Sequence, residues 1–197
     1  MRLEHLKPAD LHLPCRIGVI SDSHVDGRSD PLNPRVFEIF SDSHVDAIFH
    51  LGDITDQRVI QDLSQIARVF TVRGNRDLSI WPPIPAAILM EIDGLSIGLM
   101  HGHGTMLRYL WDKLHYVFVG FRFERYRGLL DSQFPKAQIR LFGHTHVAFS
   151  RTINGILYFN PGAACDVSMH DPHPSVGILH LESLDSYRSE IIYLDQL

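Results

Sequence analysis

Five apolar runs in this chain each lead into aspartate, histidine or asparagine, and no other feature of the sequence restricts the fold as tightly. The central run is Ala47-Ile48-Phe49-His50-Leu51, closed by Gly52-Asp53. So short an apolar stretch with a Gly-Asp stop predicts a buried strand that delivers Asp53 into a loop at its carboxyl end, where open α/β sheets gather ligand-binding groups. The other four loops are Asp22-Ser23-His24, Gly74-Asn75-Arg76-Asp77, His101-Gly102-His103 and Gly143-His144-Thr145-His146. Five predicted strands thus end in candidate metal ligands.

Residues 1–14 are mixed and proline-flanked and predict an arm packed on the first strand, 15–20. Asn33 is placed to cap, and Pro34 to open, a helix through about residue 40. Val59, Ile60, Leu63 and Ile66 have the spacing of an amphipathic helix over 58–66, and a strand follows at 68–72. Strands at 87–92 and 95–100 are joined by the hairpin signal Asp93-Gly94. Residues 105–132 put Leu107, Leu110, Trp111, Leu114, Val117 and Phe118 at helical spacing. Further strands are predicted at 138–142, 148–153, 156–159, 176–181 and 191–194. Strand and helix alternate early, and strands dominate late. That order predicts an α/β fold, a four-layer αββα sandwich of two packed mixed sheets with helices on the outside. Residues 1–197 form one domain, with 105–132 as a helical insertion.

The hexapeptide Ser21-Asp22-Ser23-His24-Val25-Asp26 recurs letter for letter at Ser41-Asp42-Ser43-His44-Val45-Asp46. The first copy follows a strand, whereas the second follows a helix. Only the first belongs at the sheet's carboxyl edge, so His24 is a ligand candidate and His44 is not. Without similarity in their flanks the copies make no repeat architecture.

A formal charge of -5 removes electrostatic steering of polyanions, and no stable nucleic-acid complex is expected. Thirteen histidines against two cysteines, Cys15 and Cys165, point to histidine and carboxylate metal chemistry rather than a thiolate site. Cys165 reads as an inert small residue. The N-terminus carries charges where a signal peptide needs an apolar core, and no run approaches about eighteen apolar residues, so a cytoplasmic protein without a membrane partner is expected.

Two divalent ions held close together need a carboxylate between them, with imidazoles, carboxylates or amide oxygens completing each shell. Ions about 3.5–4 Å apart clamp a phosphate and acidify a water between them, giving hydroxide for in-line attack at neutral pH. Asp22-x-His24, Gly52-Asp53, Gly74-Asn75, His101 and Gly143-His144-x-His146, in that order, resemble the motifs of the calcineurin-like metallophosphoesterases. The small bacterial and archaeal YfcE-type phosphodiesterases are the best match, being similarly short with a His-Gly-His ahead of the Gly-His-Thr-His. The resemblance runs over roughly residues 15–195 and includes Asn160-Pro161-Gly162.

The resemblance implies two divalent metal ions, manganese first, with iron, zinc or nickel as alternatives. It implies that Asp22, His24, Asp53 and His146 hold one ion, and that Asp53, Asn75, His101 and His144 hold the other. It also implies a phosphodiesterase with a small phosphoester substrate. The residue after Gly-Asn is commonly His or Cys in the family and here it is Arg76, which stabilises developing negative charge rather than giving up a proton. His103 then becomes the candidate for contacting substrate or donating a proton. His50 and Asp77 read as structural.

Two other functions compete. One is a phosphomonoesterase acting on a nucleotide or phosphoprotein. The other is a non-catalytic protein-binding scaffold like the retromer subunit of the same fold, whose metal set is incomplete, whereas here no ligand position is replaced. Residues 105–132 interleave arginines with aromatics. They read as cover for the sheet or a homodimer interface, or as a cap whose Arg122, Arg125 and Arg127 meet a phosphate.

Overall fold

The structure is a computed structural model that describes residues 3–25, 31–77, 83–104, 122–165 and 173–195. In chain order its elements are β1 (Leu3–Leu6), β2 (Cys15–Ile20), α1 (Pro34–Asp42), β3 (Ala47–His50), α2 (Gln57–Leu63), β4 (Arg68–Thr71), β5 (Ala87–Ile92), β6 (Leu95–Met100), α3 (Phe123–Gln133), β7 (Ile139–Leu141), β8 (Phe149–Ile153), β9 (Ile156–Asn160), β10 (Ser175–Leu181) and β11 (Tyr187–Tyr193).

Two sheets form, one ordered β11-β10-β2-β3-β4 and the other β1-β5-β6-β7-β9-β8. Both are mixed: β2, β3 and β4 run parallel, as do β6, β7 and β9, while β10, β11, β5 and β8 bring antiparallel pairings. The inner faces meet over one apolar layer, with Ile17, Val19, Phe49, Leu51 and Phe70 from one sheet against Ile88, Met90, Ile97, Leu99 and Ile139 from the other. Outside the first sheet, α1 and α2 bury Val36, Phe40, Val59 and Leu63 against Ile20, Ile48, Val176 and Ile178. Outside the second, α3 lays Phe123, Tyr126 and Leu130, with Phe134 just past its end, on Met100, Phe142 and Tyr158. Because both faces of β3 are covered, its sequence is a continuous apolar run instead of an alternating one. This is the expected four-layer sandwich.

Asn33 caps α1 as expected, its side chain accepting from the Arg35 N–H, and Pro34 opens the first turn. Asp93 and Asn154, with the glycines after them, all take positive φ, the signature of tight hairpin turns, as predicted for Asp93-Gly94. Three expectations change. The N-terminal arm contributes a strand of its own, β1, which pairs in parallel with β5 in the second sheet. The second helix ends at Leu63 rather than 66, since the chain turns there with the Ile66 N–H donating to Leu63 O at 3.0 Å. The last strand begins at Tyr187, pairing along all of β10. The segment 105–121 lies outside the described residues. Among the described residues no helix is long and apolar enough to cross a membrane.

The second hexapeptide copy ends α1. His44 stands at φ 50°, its N–H donating to Ser41 O at 3.0 Å, while the Val45 N–H donates to Phe40 O at 3.3 Å. These two bonds make a Schellman cap, and the buried side chains of Val45 and Phe40 supply its apolar contact. The Asp46 carboxylate accepts from the Arg16 N–H at 2.8 Å, so this copy sits at the start of β2, the edge opposite Asp22. Glycine suits such a position better than histidine. His44→Gly is expected to stabilise the fold by about 0.5–1 kcal/mol, raising Tm by roughly 1–4 °C with turnover unchanged. The twin substitution His24→Ala should instead remove metal and activity. Lost turnover in a folded His44→Gly protein, checked by calorimetry and circular dichroism, would contradict this placement.

Candidate metal centre

Parallel β2, β3 and β4 release Asp22, Asp53 and Asn75 at one edge of their sheet. Parallel β6, β7 and β9 do the same for His101, His144, His146 and Asn160. Backbone hydrogen bonds lace these loops together. Asp22 N–H donates to Gly52 O at 3.0 Å, His24 N–H to Asp53 O at 3.1 Å, Gly143 N–H to His101 O at 3.0 Å and Ala164 N–H to Ser21 O at 3.0 Å.

Other side chains hold the loops from behind. The buried Asp77 carboxylate accepts from four backbone N–H groups, those of Asp53, Ile54, Thr55 and Gly74, at 2.7–3.0 Å. Buried Asn160 donates to Gly143 O and Thr145 Oγ1, both at 3.0 Å, and accepts from the Gly162 N–H at 2.9 Å. His50 accepts the Gly52 N–H at Nδ1, which leaves its ring proton on Nε2, 3.1 Å from Ser23 Oγ. The turns are also sterically tight. A Cβ on Gly74 would stand 2.1 Å from Asp53 Oδ1, and one on Gly143 would stand 1.9 Å from Ser21 Oγ, so neither position admits a side chain.

The predicted ligands converge. His24 Nε2 and His146 Nε2 approach to 3.2 Å, and Asp22 Oδ1 lies 3.3 Å from the latter. Asp53 Oδ2 is 3.8 Å from His24 Nε2, and Asp53 Oδ1 is 3.6 Å from His101 Nε2. His101 donates its Nδ1–H to Leu51 O at 2.8 Å, which leaves the Nε2 lone pair 3.1 Å from Asn75 Oδ1. His144 donates its backbone N–H to Asp22 Oδ2 at 2.9 Å, and its ring centroid is 5.1 Å from that of His101. Asp22, His24, Asp53, His144 and His146 all hold φ between 44° and 68°. That conformation costs an L-residue on the order of 1 kcal/mol. Five of the seven predicted ligands adopt it, so backbone strain is concentrated here.

Burial pushes the His24 and His103 rings down to about 4 and His144 to about 3, so at neutral pH they are uncharged and carry lone pairs. Burial opposes ionisation of Asp22, but His101, His146 and the Ser21 hydroxyl outweigh it and hold the carboxyl below the usual range. Asp53 is shifted upward, by burial first and also by the charge of Asp22, against the pull of His101.

This donor set fits divalent cations on two counts. Buried polar atoms are nearly always hydrogen-bonded. Among the described residues the four that are not, Asp22 Oδ1, His24 Nδ1, Arg73 Nε and His103 Nδ1, all lie on these loops. The His101 Nε2 lone pair also faces an acceptor, Asn75 Oδ1, and two imidazole nitrogens meet at 3.2 Å between His24 and His146, arrangements that a cation between such atoms stabilises.

Arg76 donates its backbone N–H to Asp53 Oδ1 at 2.8 Å, and its side chain is exposed at the rim. The half-buried His103 ring lies 5.4 Å from His101 and 6.2 Å from His144. The three arginines proposed for a cap divide: Arg122 and Arg125 line a surface cleft with Arg151, while Arg127 pairs with Glu124 and Asp131 along its own helix at 3.5 and 3.6 Å. Cys165 is the residue that sequence reasoning passed over. A ligand atom from each of His24, His146 and Cys165 lies within 4.8 Å of the others. Its signal in the sequence was a place just after the Asn160-Pro161-Gly162 turn.

The calcineurin-like phosphoesterase superfamily domain matches residues 15–184. A probable metallophosphoesterase of Methanothermobacter thermautotrophicus is 31% identical over 176 residues, covering 86% of this chain and 89% of that protein. A phosphodiesterase of Methanocaldococcus jannaschii is 27% identical over 190 residues, 90% of this chain and 99% of the relative. In fold the chain is similar to Vps29 of Entamoeba histolytica complexed with zinc, at TM-score 0.66 and 22% identity over 91% of this chain and 99% of the other. Residues 15–184 hold every converging donor described above, from Asp22 to Cys165, and by that match the chain belongs to the calcineurin-like phosphoesterase superfamily.

Proposed function

We propose that this chain is a phosphodiesterase that hydrolyses a small phosphodiester at two divalent metal ions. Asp53 carries the reading, because one of its oxygens faces His24 and the other faces His101, a position from which its carboxylate would serve both ions. Asp22, His24, Asp53 and His146 hold one ion; Asp53, Asn75, His101 and His144 hold the other. When bound, the ions supply Lewis-acid polarisation of the phosphoryl group and an acidified water.

The protein's own groups orient and select. Leu51 O fixes the His101 tautomer, which keeps Nε2 free to ligate. Arg76 presents a permanent positive charge at the rim, suited to non-bridging phosphate oxygens. His103, uncharged at neutral pH, contacts substrate as a hydrogen-bonding ring rather than as a proton donor. With no strong proton donor among these groups, leaving groups that depart unprotonated are favoured, which argues against monoesters of poor leaving groups. The phosphodiesterase relative supports the same preference, and the intact donor set supports hydrolysis over a scaffold role.

The test is a screen of metal-stripped protein refilled with Mn²⁺, Fe²⁺, Zn²⁺ or Ni²⁺ against matched chromogenic mono- and diesters. The diester is expected to lead by about tenfold or more in kcat/KM, a difference of about 1.4 kcal/mol. A monoester preference would make it a phosphomonoesterase, and bound metal with no hydrolysis of either ester would favour the scaffold.

A further inference from the structure

We propose that Cys165 is a further protein ligand to the ion held by His24 and His146, and that its thiolate makes this half of the centre prefer thiophilic ions such as Zn²⁺ over Mn²⁺. The inference rests on the metal-centre reading above. Backbone bonds set the loop in place, with Ala164 N–H donating to Ser21 O at 3.0 Å and Ser175 N–H to Ala163 O at 2.8 Å. Cys165 is thereby tied one residue from the Asp22 loop, and its sulfur lies with a His24 and a His146 ring nitrogen inside a mutual 4.8 Å. A Zn²⁺ ion holds sulfur at about 2.3 Å and imidazole nitrogen at about 2.0 Å, so donors that already lie within 4.8 Å of one another need only a modest closure to share it.

A second observation points into the same space. Asp22 Oδ1 is buried without a hydrogen-bond partner and lies 3.3 Å from His146 Nε2, so another donor of the same ion's set faces this space. The chain's other thiol is enclosed elsewhere: Cys15 is 6% exposed in the layer between the sheets, where burial pushes it up to about 12.

Ligation exchanges the S–H bond for a sulfur–metal bond and releases the proton to solvent, with no change of oxidation state. Thiolate favours Zn²⁺ over the harder Mn²⁺. The partner half, built from Asn75, His101, His144 and the shared Asp53, has no sulfur within its proposed set. The two halves therefore differ in metal preference.

Cobalt reports on this directly. Metal-stripped protein refilled with Co²⁺ is expected to show visible d–d bands together with a near-ultraviolet sulfur-to-cobalt charge-transfer band. Cys165→Ala should lose the sulfur band and keep d–d bands, and it should lower the Zn²⁺-to-Mn²⁺ affinity ratio roughly 10–100-fold. Wild-type d–d bands without a sulfur band would overturn the role of Cys165 and leave the metal centre standing. No cobalt bound by the wild type would overturn the metal centre itself. Should Cys165→Ala fail to fold, the wild-type spectrum still decides, with Cys15→Ala as the control: a sulfur band lost with Cys15 would also overturn the proposal.

Discussion

Asp53→Asn is expected to lower kcat/KM toward a diester by about 10³-fold or more, a loss of at least about 4 kcal/mol of transition-state stabilisation. The substitution keeps shape and removes charge. Asparagine can still accept the Arg76 N–H that Asp53 Oδ1 accepts at 2.8 Å, so the loop has no reason to unfold. What it cannot do is offer an anionic oxygen toward both His24 and His101, and both ions should bind more weakly. Steady-state kinetics with elemental analysis of the purified variant measures both effects. Near-normal turnover in Asp53→Asn would contradict the role assigned to this residue.

The second large effect is expected from Asp77, which touches no metal in this account. Oδ1 holds the amides of Ile54 and Thr55, and Oδ2 holds those of Asp53 and Gly74. Whichever way an asparagine turns its amide, two of these four donors meet an NH₂ group. At about 1–3 kcal/mol for each stranded buried donor, Asp77→Asn should destabilise the fold by roughly 2–5 kcal/mol. For a chain of this size that lowers Tm by roughly 5–15 °C. Metal affinity should fall as well, because the Asp53 turn loses its anchor. A melting temperature close to wild type with unchanged metal binding would show that the turn holds itself.

Much of this was legible because each strand end is a local signal. Ala47 to Asp53 reads as a buried strand and a stop on its own, and so do the other four loops; parallel pairing alone then brings them together. The repeated hexapeptide marks where local reading ends. Its histidine takes positive φ in both copies, at 44° and 50°, so that turn is written into the hexapeptide. Its first aspartate does not behave alike: Asp42 ends a helix, while Asp22 is at φ 50° with its N–H bound to Gly52 O. A contact thirty positions along the chain decides between them. The same limit hid the pairing of β1 with β5 and the approach of Cys165 to His24, since both depend on segments far apart in sequence. Two cysteines, Cys15 and Cys165, among thirteen histidines gave no reason to expect that contact.

Calorimetric titration of the metal-stripped protein tests most directly whether Asp53 serves two ions. With diester hydrolysis followed on the same samples, the prediction is two ions per chain, turnover appearing as the second site fills, and neither event in Asp53→Asn. Saturation at a single ion per chain with full turnover would contradict it.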